Sequence, residues 1–307
     1  MIRASSTEPI IRARGLTKYF GPVRAVDRID FEVYPGECFG MLGPNGAGKT
    51  STMRMLYDFS PRTAGELTVF GLDPAGKSSV RVRQGIGVVP QSDNLDLELT
   101  VRENLEVYGG YYGLSGQRLR QRVESLLEFM SLGEKADATI KQLSGGMKRR
   151  LTIVRALIGE PRLVVLDEPT TGLDPHARHH IWQALRELTA RGVTIVLTTH
   201  YMEEAQRLCD RLVIMDQGKI LRQGAPEDLI REHLPRLVLE TGLEDLDDDW
   251  RKKGLRFEYY GDQVFFLADR EEDFSCLSFR DGSRKKIIRP SNLEDLFLKL
   301  TGRALDE

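Results

Sequence analysis

From about residue 8 to about residue 230, short runs of apolar and β-branched residues alternate with longer stretches of helical periodicity. That alternation predicts a mixed sheet covered by helices, an α/β architecture. The most compact runs are Cys38 to Leu42, Leu163 to Leu166 and Thr194 to Thr198, and each is followed at once by polar residues. Runs of this kind suit strands buried on both faces, and in an open α/β sheet the crevice outside their carboxyl ends is where ligands bind. Chemistry is therefore sought just after each run.

Between roughly residues 95 and 145 the buried-strand texture gives way to charged helical sequence such as Gln117 to Met130, which predicts a helical subdomain over about 92–158. A second shift follows Gln223-Gly224-Ala225-Pro226. An acidic patch from Glu244 to Asp249 precedes alternating Leu255, Phe257 and Tyr259, and Gly261-Asp262 separates these from Val264-Phe265-Phe266-Leu267 as a two-residue hairpin turn. Ser291-Asn292-Leu293-Glu294 reads as a capping box opening a helix with Leu293, Leu296, Phe297 and Leu300 on one face. The expected organisation is one domain over 8–231 and a small α+β accessory domain over 232–307.

Composition narrows the class. The 307 residues are 40% hydrophobic and 29% charged, which favours neither disorder nor a membrane-embedded chain. A net charge of -2 gives no general attraction to phosphate backbones, so direct nucleic-acid binding is not expected. The clusters Lys148-Arg149-Arg150 and Arg284-Lys285-Lys286 read as solvated faces. Cys38, Cys209 and Cys276 follow no disulfide or metal-ligand pattern and fit a reducing cytoplasm. Neither a signal-peptide stretch nor a run of about 18 apolar residues is found, so a membrane role calls for a partner.

Gly43-Pro44-Asn45-Gly46-Ala47-Gly48-Lys49-Thr50 fits G-x-x-x-x-G-K-[ST], with Ser51 next in line, and lies between a strand and a helical pattern. Its glycines let backbone N–H groups wrap a phosphate, Lys49 adds a positive charge near the β- and γ-phosphates, and the Thr50 hydroxyl can ligate Mg²⁺. Leu163-Val164-Val165-Leu166-Asp167-Glu168 is an apolar strand ending in two carboxylates. The first suits a metal ion and its water, and the second suits a general base. An Asp-Glu pair at a strand end is ordinarily just solvated; beside a phosphate loop that reading loses its weight. Leu143-Ser144-Gly145-Gly146-Met147 reads as a helix start capped by Ser144. Two successive glycines weaken a helix but let its N–H groups approach phosphate closely, which favours a second phosphate-contacting element.

Taken together, these three segments resemble the Walker A, signature and Walker B motifs of the ABC ATPases, a P-loop NTPase family, over about residues 8 to 230. The resemblance assigns ATP as the ligand with Mg²⁺, Gln91 as the Q-loop glutamine, Asp174 in Gly172-Leu173-Asp174 as the D-loop residue, and His200 as the switch histidine. It gives Phe20, in preference to Tyr19, as the aromatic that stacks on adenine. Thr50, Gln91 and Asp167 would surround the metal, Glu168 would activate water, and Lys49 and His200 would contact the phosphates. In this family the signature of one domain faces the P-loop of another. With one copy of each motif here, the expected partner is a second copy of the chain, in a homodimer beneath an integral membrane permease.

Lys148-Arg149-Arg150-Leu151 and Thr170-Thr171-Gly172-Leu173-Asp174-Pro175 resemble the ATPases serving ABC-2 type exporters. More narrowly, Gln91-Ser92-Asp93-Asn94-Leu95-Asp96, Asp174-Pro175-His176-Ala177-Arg178-His179 and the closing Asn292-Leu293-Glu294-Asp295-Leu296-Phe297-Leu298-Lys299-Leu300-Thr301-Gly302 resemble the branch exporting nodulation factors and drugs. Met147, where the wider family usually has glutamine, is common in that branch. The resemblance implies an ATPase energising export from the cytoplasmic face of the membrane. The rival is a soluble ABC ATPase acting on nucleic acid or ribosomes, but such proteins usually fuse two ATPase domains, insert coiled coils or carry zinc sites, and none is seen here.

Overall fold

A computed structural model describes residues 8–280 and 286–302; Arg284 and Lys285 of the second basic cluster lie outside the described residues. The elements run β1 (Ile11–Phe20), β2 (Val23–Val33), β3 (Cys38–Leu42), α1 (Lys49–Leu56), β4 (Ala64–Val69), α2 (Ser79–Gln84), β5 (Ile86–Val89), α3 (Val101–Tyr111), α4 (Gly116–Phe129), α5 (Gly145–Leu157) and β6 (Leu163–Asp167). They continue through α6 (Pro175–Ala190), β7 (Thr194–Thr199), α7 (Met202–Leu208), β8 (Arg211–Asp216), β9 (Lys219–Gly224), α8 (Pro226–His233), β10 (Leu237–Gly242), β11 (Arg256–Tyr260), β12 (Gln263–Ala268), β13 (Lys286–Pro290) and α9 (Leu293–Thr301).

Two compact units divide the chain between Ile220 and Leu221, within β9 and ahead of the composition shift near residue 231. α8 falls with the second unit, where it packs on α9. In the first unit, β2, β1 and β4 form an antiparallel sheet in which Ile11 faces Val33 on one side and Val69 on the other. Along β1, Ile11 and Ala13 are buried while Arg12 and Arg14 are exposed, the period-two signature of a sheet with one wet face. The larger sheet has the order β5-β6-β7-β3-β8-β9. Its pairs from β5 through β8 are parallel, and every residue of β3, β6 and β7 is buried, which explains why these strands read as unbroken apolar runs. A core including Phe31, Phe39, Met53, Leu56, Val165 and Val196 fills this unit, with the Phe31 and Phe39 rings stacked 5.8 Å apart. The stretch between β5 and β6 carries α3, α4 and α5, with a full capping box at Thr100 and Glu103 opening α3.

The second unit is a four-stranded antiparallel sheet, β11-β12-β10-β13, with α9 closing the chain and packed on α8. Gly261-Asp262 forms the tight connection between β11 and β12, with Tyr260 paired to Gln263. The helix start is displaced by one residue from the expected capping box. Asn292 is the cap: its Oδ1 accepts from the amides of Glu294 (2.8 Å) and Asp295 (3.1 Å), and Asp295 Oδ2 accepts from the Asn292 amide at 2.9 Å. The Ser291 hydroxyl instead donates to the Pro235 carbonyl.

Phe266 is fully buried in this second core, with Trp250 packed edge-on at 5.5 Å and Phe257 at 6.3 Å. Phe266→Ala is expected to destabilise the second unit by about 3–5 kcal/mol, as a large-to-small core change leaves a cavity. Urea unfolding would register this as a lowered midpoint, and an unchanged midpoint would contradict the packing described.

Candidate functional site

Four parallel neighbours, β5, β6, β7 and β3, deliver their carboxyl ends to one place. After β3 the chain turns through Gly43 to Gly48 into α1, after β5 it reaches Gln91, β6 ends at Asp167 before Glu168, and β7 is followed by His200. A cleft of about 440 Å³ is lined by Phe20, Pro44, Asn45, Gly46, Ala47, Gly48, Lys49, Thr50, Ser51, Gln91 and Glu168, together with Val23, Arg24, Ala25 and Gln217. Phe20 is 51% exposed and lines the cleft; Tyr19, set aside in the sequence reading, does not line it. The turn depends on glycine at Gly48, whose φ of +99° and whose backbone, where a Cβ would lie 2.4 Å from the Ala25 carbonyl oxygen, exclude a side chain.

Register dictates the floor of the cleft. Asp167 is paired with Thr198 across β6 and β7, and the Thr198 hydroxyl donates to Asp167 Oδ1 at 2.7 Å while accepting from the Glu168 amide at 2.9 Å. Thr50 Oγ1 donates to the same Asp167 oxygen at 2.9 Å, tying the start of α1 to the end of β6. The Thr50 hydroxyl and the Asp167 carboxylate are hard oxygen donors of the kind Mg²⁺ takes, and that ion usually completes its shell with water and phosphate oxygens.

Glu168 is 8% exposed and surrounded. Lys49 Nζ lies 3.8 Å from Oε1, the Thr171 hydroxyl donates to Oε2 at 3.1 Å, and Gln91 Nε2 donates to Oε2 at 3.4 Å. His200 Nδ1 is 3.4 Å from Oε1, within ion-pair reach, yet its angle makes no hydrogen bond, so that ring nitrogen lacks a hydrogen-bond partner. Glu168 also has a φ of +48°, a left-handed conformation that non-glycine residues adopt rarely and that clusters at functional sites. Lys49 is equally buried and donates to the carbonyl oxygens of Gly43 (2.6 Å) and Pro44 (3.0 Å). Burial pulls its ammonium below the ordinary lysine value, while the Glu168 and Asp167 carboxylates oppose that shift. An anion in the loop adds compensating charge.

Ser144, Gly145, Gly146 and Asp174 are not brought to this cleft. Ser144 caps α5, accepting from the Met147 amide at 3.3 Å, and Asp174 caps α6, accepting from the Ala177 amide at 2.9 Å. The two glycines differ. A Cβ on Gly146 would lie 2.9 Å from Ala177 Cβ, so close packing of α5 on α6 explains it, whereas nothing lies within 4 Å of a Cβ on exposed Gly145. No contact within the described residues accounts for the missing side chain at Gly145.

Two groups escaped the sequence reading. Thr198 looked like a β-branched core residue of a buried strand. Arg149 was read within a solvated basic cluster, but it is 5% exposed and its guanidinium lies among backbone carbonyls beneath the site, so that expectation is corrected for this residue. The available signal was its place one turn inside a helix that starts at a phosphate-type motif.

Residues 26–171 match the family described as ABC transporter, and residues 237–302 match Nodulation factor export protein NodI, C-terminal domain. The chain is 51% identical over 297 residues to the Nod factor export ATP-binding protein I of Rhizobium sp. (strain N33), covering 95% of this chain and 97% of that one. It is 46% identical over 299 residues to the protein of that name from Cupriavidus metallidurans, covering 96% and 98%. Among solved structures, cbiO1 from Clostridium perfringens, part of the ABC transporter complex cbiONQ, superimposes with a TM-score of 0.68 at 27% identity, covering 73% of this chain and 92% of that one. The ATP-binding cassette MJ0796, a dimeric post-hydrolysis state bound to ADP and Pi, gives a TM-score of 0.64 at 27% identity, covering 70% and 98%.

Thr198→Val keeps the shape of a fully buried side chain but removes both bonds made by its hydroxyl. Leaving the buried Glu168 amide without its acceptor is expected to destabilise the first unit by about 1–3 kcal/mol. Urea unfolding measures the loss, and stability equal to the parent would show that the bridge contributes nothing.

Proposed function

This chain belongs to the ABC transporter family as an ATP-binding subunit related to the Nod factor export proteins, and from that premise we propose how its residues divide the work of hydrolysis. The chain is an ATPase subunit that energises export through a separate membrane permease. One observation carries the residue assignments: the carboxylate of Glu168 stands within 4 Å of Lys49, Gln91, His200 and Thr171 at the edge of a phosphate-loop cleft.

In the proposed reaction, ATP and water give ADP and phosphate. Lys49 and the Gly43 to Ser51 backbone hold the β- and γ-phosphates, and Phe20 stacks on the adenine. Glu168 takes the proton of the attacking water, and His200 contacts the γ-phosphate. Thr50, Asp167 and Gln91 would hold Mg²⁺, which when bound would neutralise charge on the phosphates. Placing these groups on four adjacent strand ends supports catalysis by positioning and preorganised charge, which needs little rearrangement as the transition state forms.

Ser144, Gly145 and Gly146 are proposed to serve the nucleotide of a second copy, with Asp174 communicating across a head-to-tail homodimer. The exposed, uncovered Gly145 at a helix start supports this, since a helix N-terminus stripped of side chains is suited to phosphate. We assign 8–231 to the nucleotide-binding domain and 232–307 to an accessory domain. The permease is proposed to be of the ABC-2 type, with the chain peripheral on the cytoplasmic face. Exposed Leu97, Val107 and Tyr111, in the helical stretch after Gln91, offer apolar surface for that contact. The nucleic-acid alternative is disfavoured by the match of the C-terminal region to an export family.

Glu168→Gln tests the mechanism. It keeps the shape and removes the base, so ATP hydrolysis is expected to fall by about 10²- to 10⁴-fold while ATP binding survives. The ATP-bound dimer should persist in size-exclusion chromatography. Lys49→Ala, by contrast, is expected to weaken nucleotide binding as well as turnover. Near-parental turnover in folded Glu168→Gln would remove the base assignment and leave the ATP-binding assignment standing.

A further inference from the structure

Arg149 lies one turn inside α5, and its guanidinium is shared among four carbonyl oxygens from two other segments. Nε donates to Pro169 at 2.8 Å, Nη2 to Asp167 at 2.9 Å and to Glu168 at 3.0 Å, and Nη1 to Pro90. Pro90 immediately precedes Gln91, and Asp167 to Pro169 brackets Glu168. The same face of α5 continues the grip on the segment after Gln91. Thr152 Oγ1 reaches the Asp93 carbonyl at 3.3 Å, and Arg155 donates to the Asp93 carbonyl at 3.0 Å and to the Asn94 carbonyl. Arg149 and Thr152, and Thr152 and Arg155, are each three residues apart and so neighbours on the helix surface.

The bond to the Glu168 carbonyl matters because of the backbone it meets. Glu168 is held at φ +48° with its amide fixed by Thr198, so the Arg149 bond fixes the carbonyl as well. With both ends of the residue pinned, the direction of its Cα–Cβ bond is set, and from that fixed origin the carboxylate meets Lys49, Thr171 and Gln91. A planar guanidinium with five N–H donors can span these carbonyls; a lysine ammonium is a point charge and cannot.

We infer that Arg149 is a positioning residue for hydrolysis, through which α5 holds Glu168 and Gln91 in register with the cleft. It does not line the cleft and acts through Glu168. The inference rests on the base assignment to Glu168, and one experiment separates the two. Turnover and ATP affinity are measured on the full-length purified chain for the parent, Arg149→Lys, Glu168→Gln and the double variant, with the fluorescent analogue trinitrophenyl-ATP as the binding probe.

Arg149→Lys is expected to lower kcat by about 10- to 100-fold, the scale of loss from a misplaced reacting group, with probe affinity within about threefold of the parent, the difference expected when only transition-state interactions are lost. In the Glu168→Gln background the same change should lower the residual rate by clearly less, because one of the two groups it positions is already gone. An unchanged kcat in Arg149→Lys, or an equal loss in both backgrounds, overturns the inference. If Arg149→Lys does not fold, Arg149→Gln, which keeps a planar amide donor, is read by the same criteria. Full turnover in Glu168→Gln alone would instead remove the base assignment.

Discussion

Bringing Asp167 and Glu168 side by side to the end of a fully buried strand takes two carboxylates out of water, and the polar architecture of the first unit is arranged around compensating them. Asp167 is answered by the hydroxyls of Thr50 and Thr198, and Glu168 by Lys49, Thr171 and Gln91. The answering groups come from the start of α1, from β7, and from the segments after β6 and β5. A buried ion pair of this kind is weak support for stability, since desolvation of both partners offsets much of their attraction. Its consequence is positional: the lysine is held on the carbonyls of its own loop with the Glu168 carboxylate 3.8 Å away at the edge of the cleft.

The parallel order of the strands makes the convergence possible. β3 runs between β7 and β8, while β6 lies on the far side of β7, so residues distant in sequence emerge on one edge, joined by helical crossovers such as α3 to α5 between β5 and β6. That arrangement also locates the strain. At Glu168 the chain leaves β6 in a left-handed turn with an ordinary side chain, a conformation costing of order 1–3 kcal/mol that persists only where surroundings over-determine it. Thr198 on one side and Arg149 on the other supply that determination.

Much of this was legible in the sequence where function is tied to a local backbone pattern. The glycine spacing from Gly43 to Gly48, the apolar run ending at Asp167 and Glu168, and the cap at Ser144 announce their geometry within a few residues. The two-residue turn at Gly261-Asp262 does so as well. What was not legible depends on contacts distant in the chain. Arg149 lies beside Lys148 and Arg150, and three basic residues in a row look solvated until the carbonyls of Pro90 and Pro169 are known to face the middle one. Thr198 carries the pattern of a core strand residue, and only its register opposite Asp167 makes its hydroxyl matter. The capping box slipped by one residue to Asn292, while the Ser291 hydroxyl donates to the Pro235 carbonyl, remote in sequence.

α5 connects the two levels of the proposed mechanism. Its first residues are exposed and lie away from the cleft of their own chain, while the same helix one turn later holds the backbone of Glu168 and the approach to Gln91. A helix is stiff over one turn, because each added residue is fixed by another backbone hydrogen bond. Displacing the Ser144 end, as occupation by a phosphate from a second copy would, therefore moves the Arg149 end with it. Under the dimer proposal, the helix completing one nucleotide site and the helix positioning the base of the other are the same element. Coupling between the two sites then needs no longer path than the turn of helix from Ser144 to Arg149.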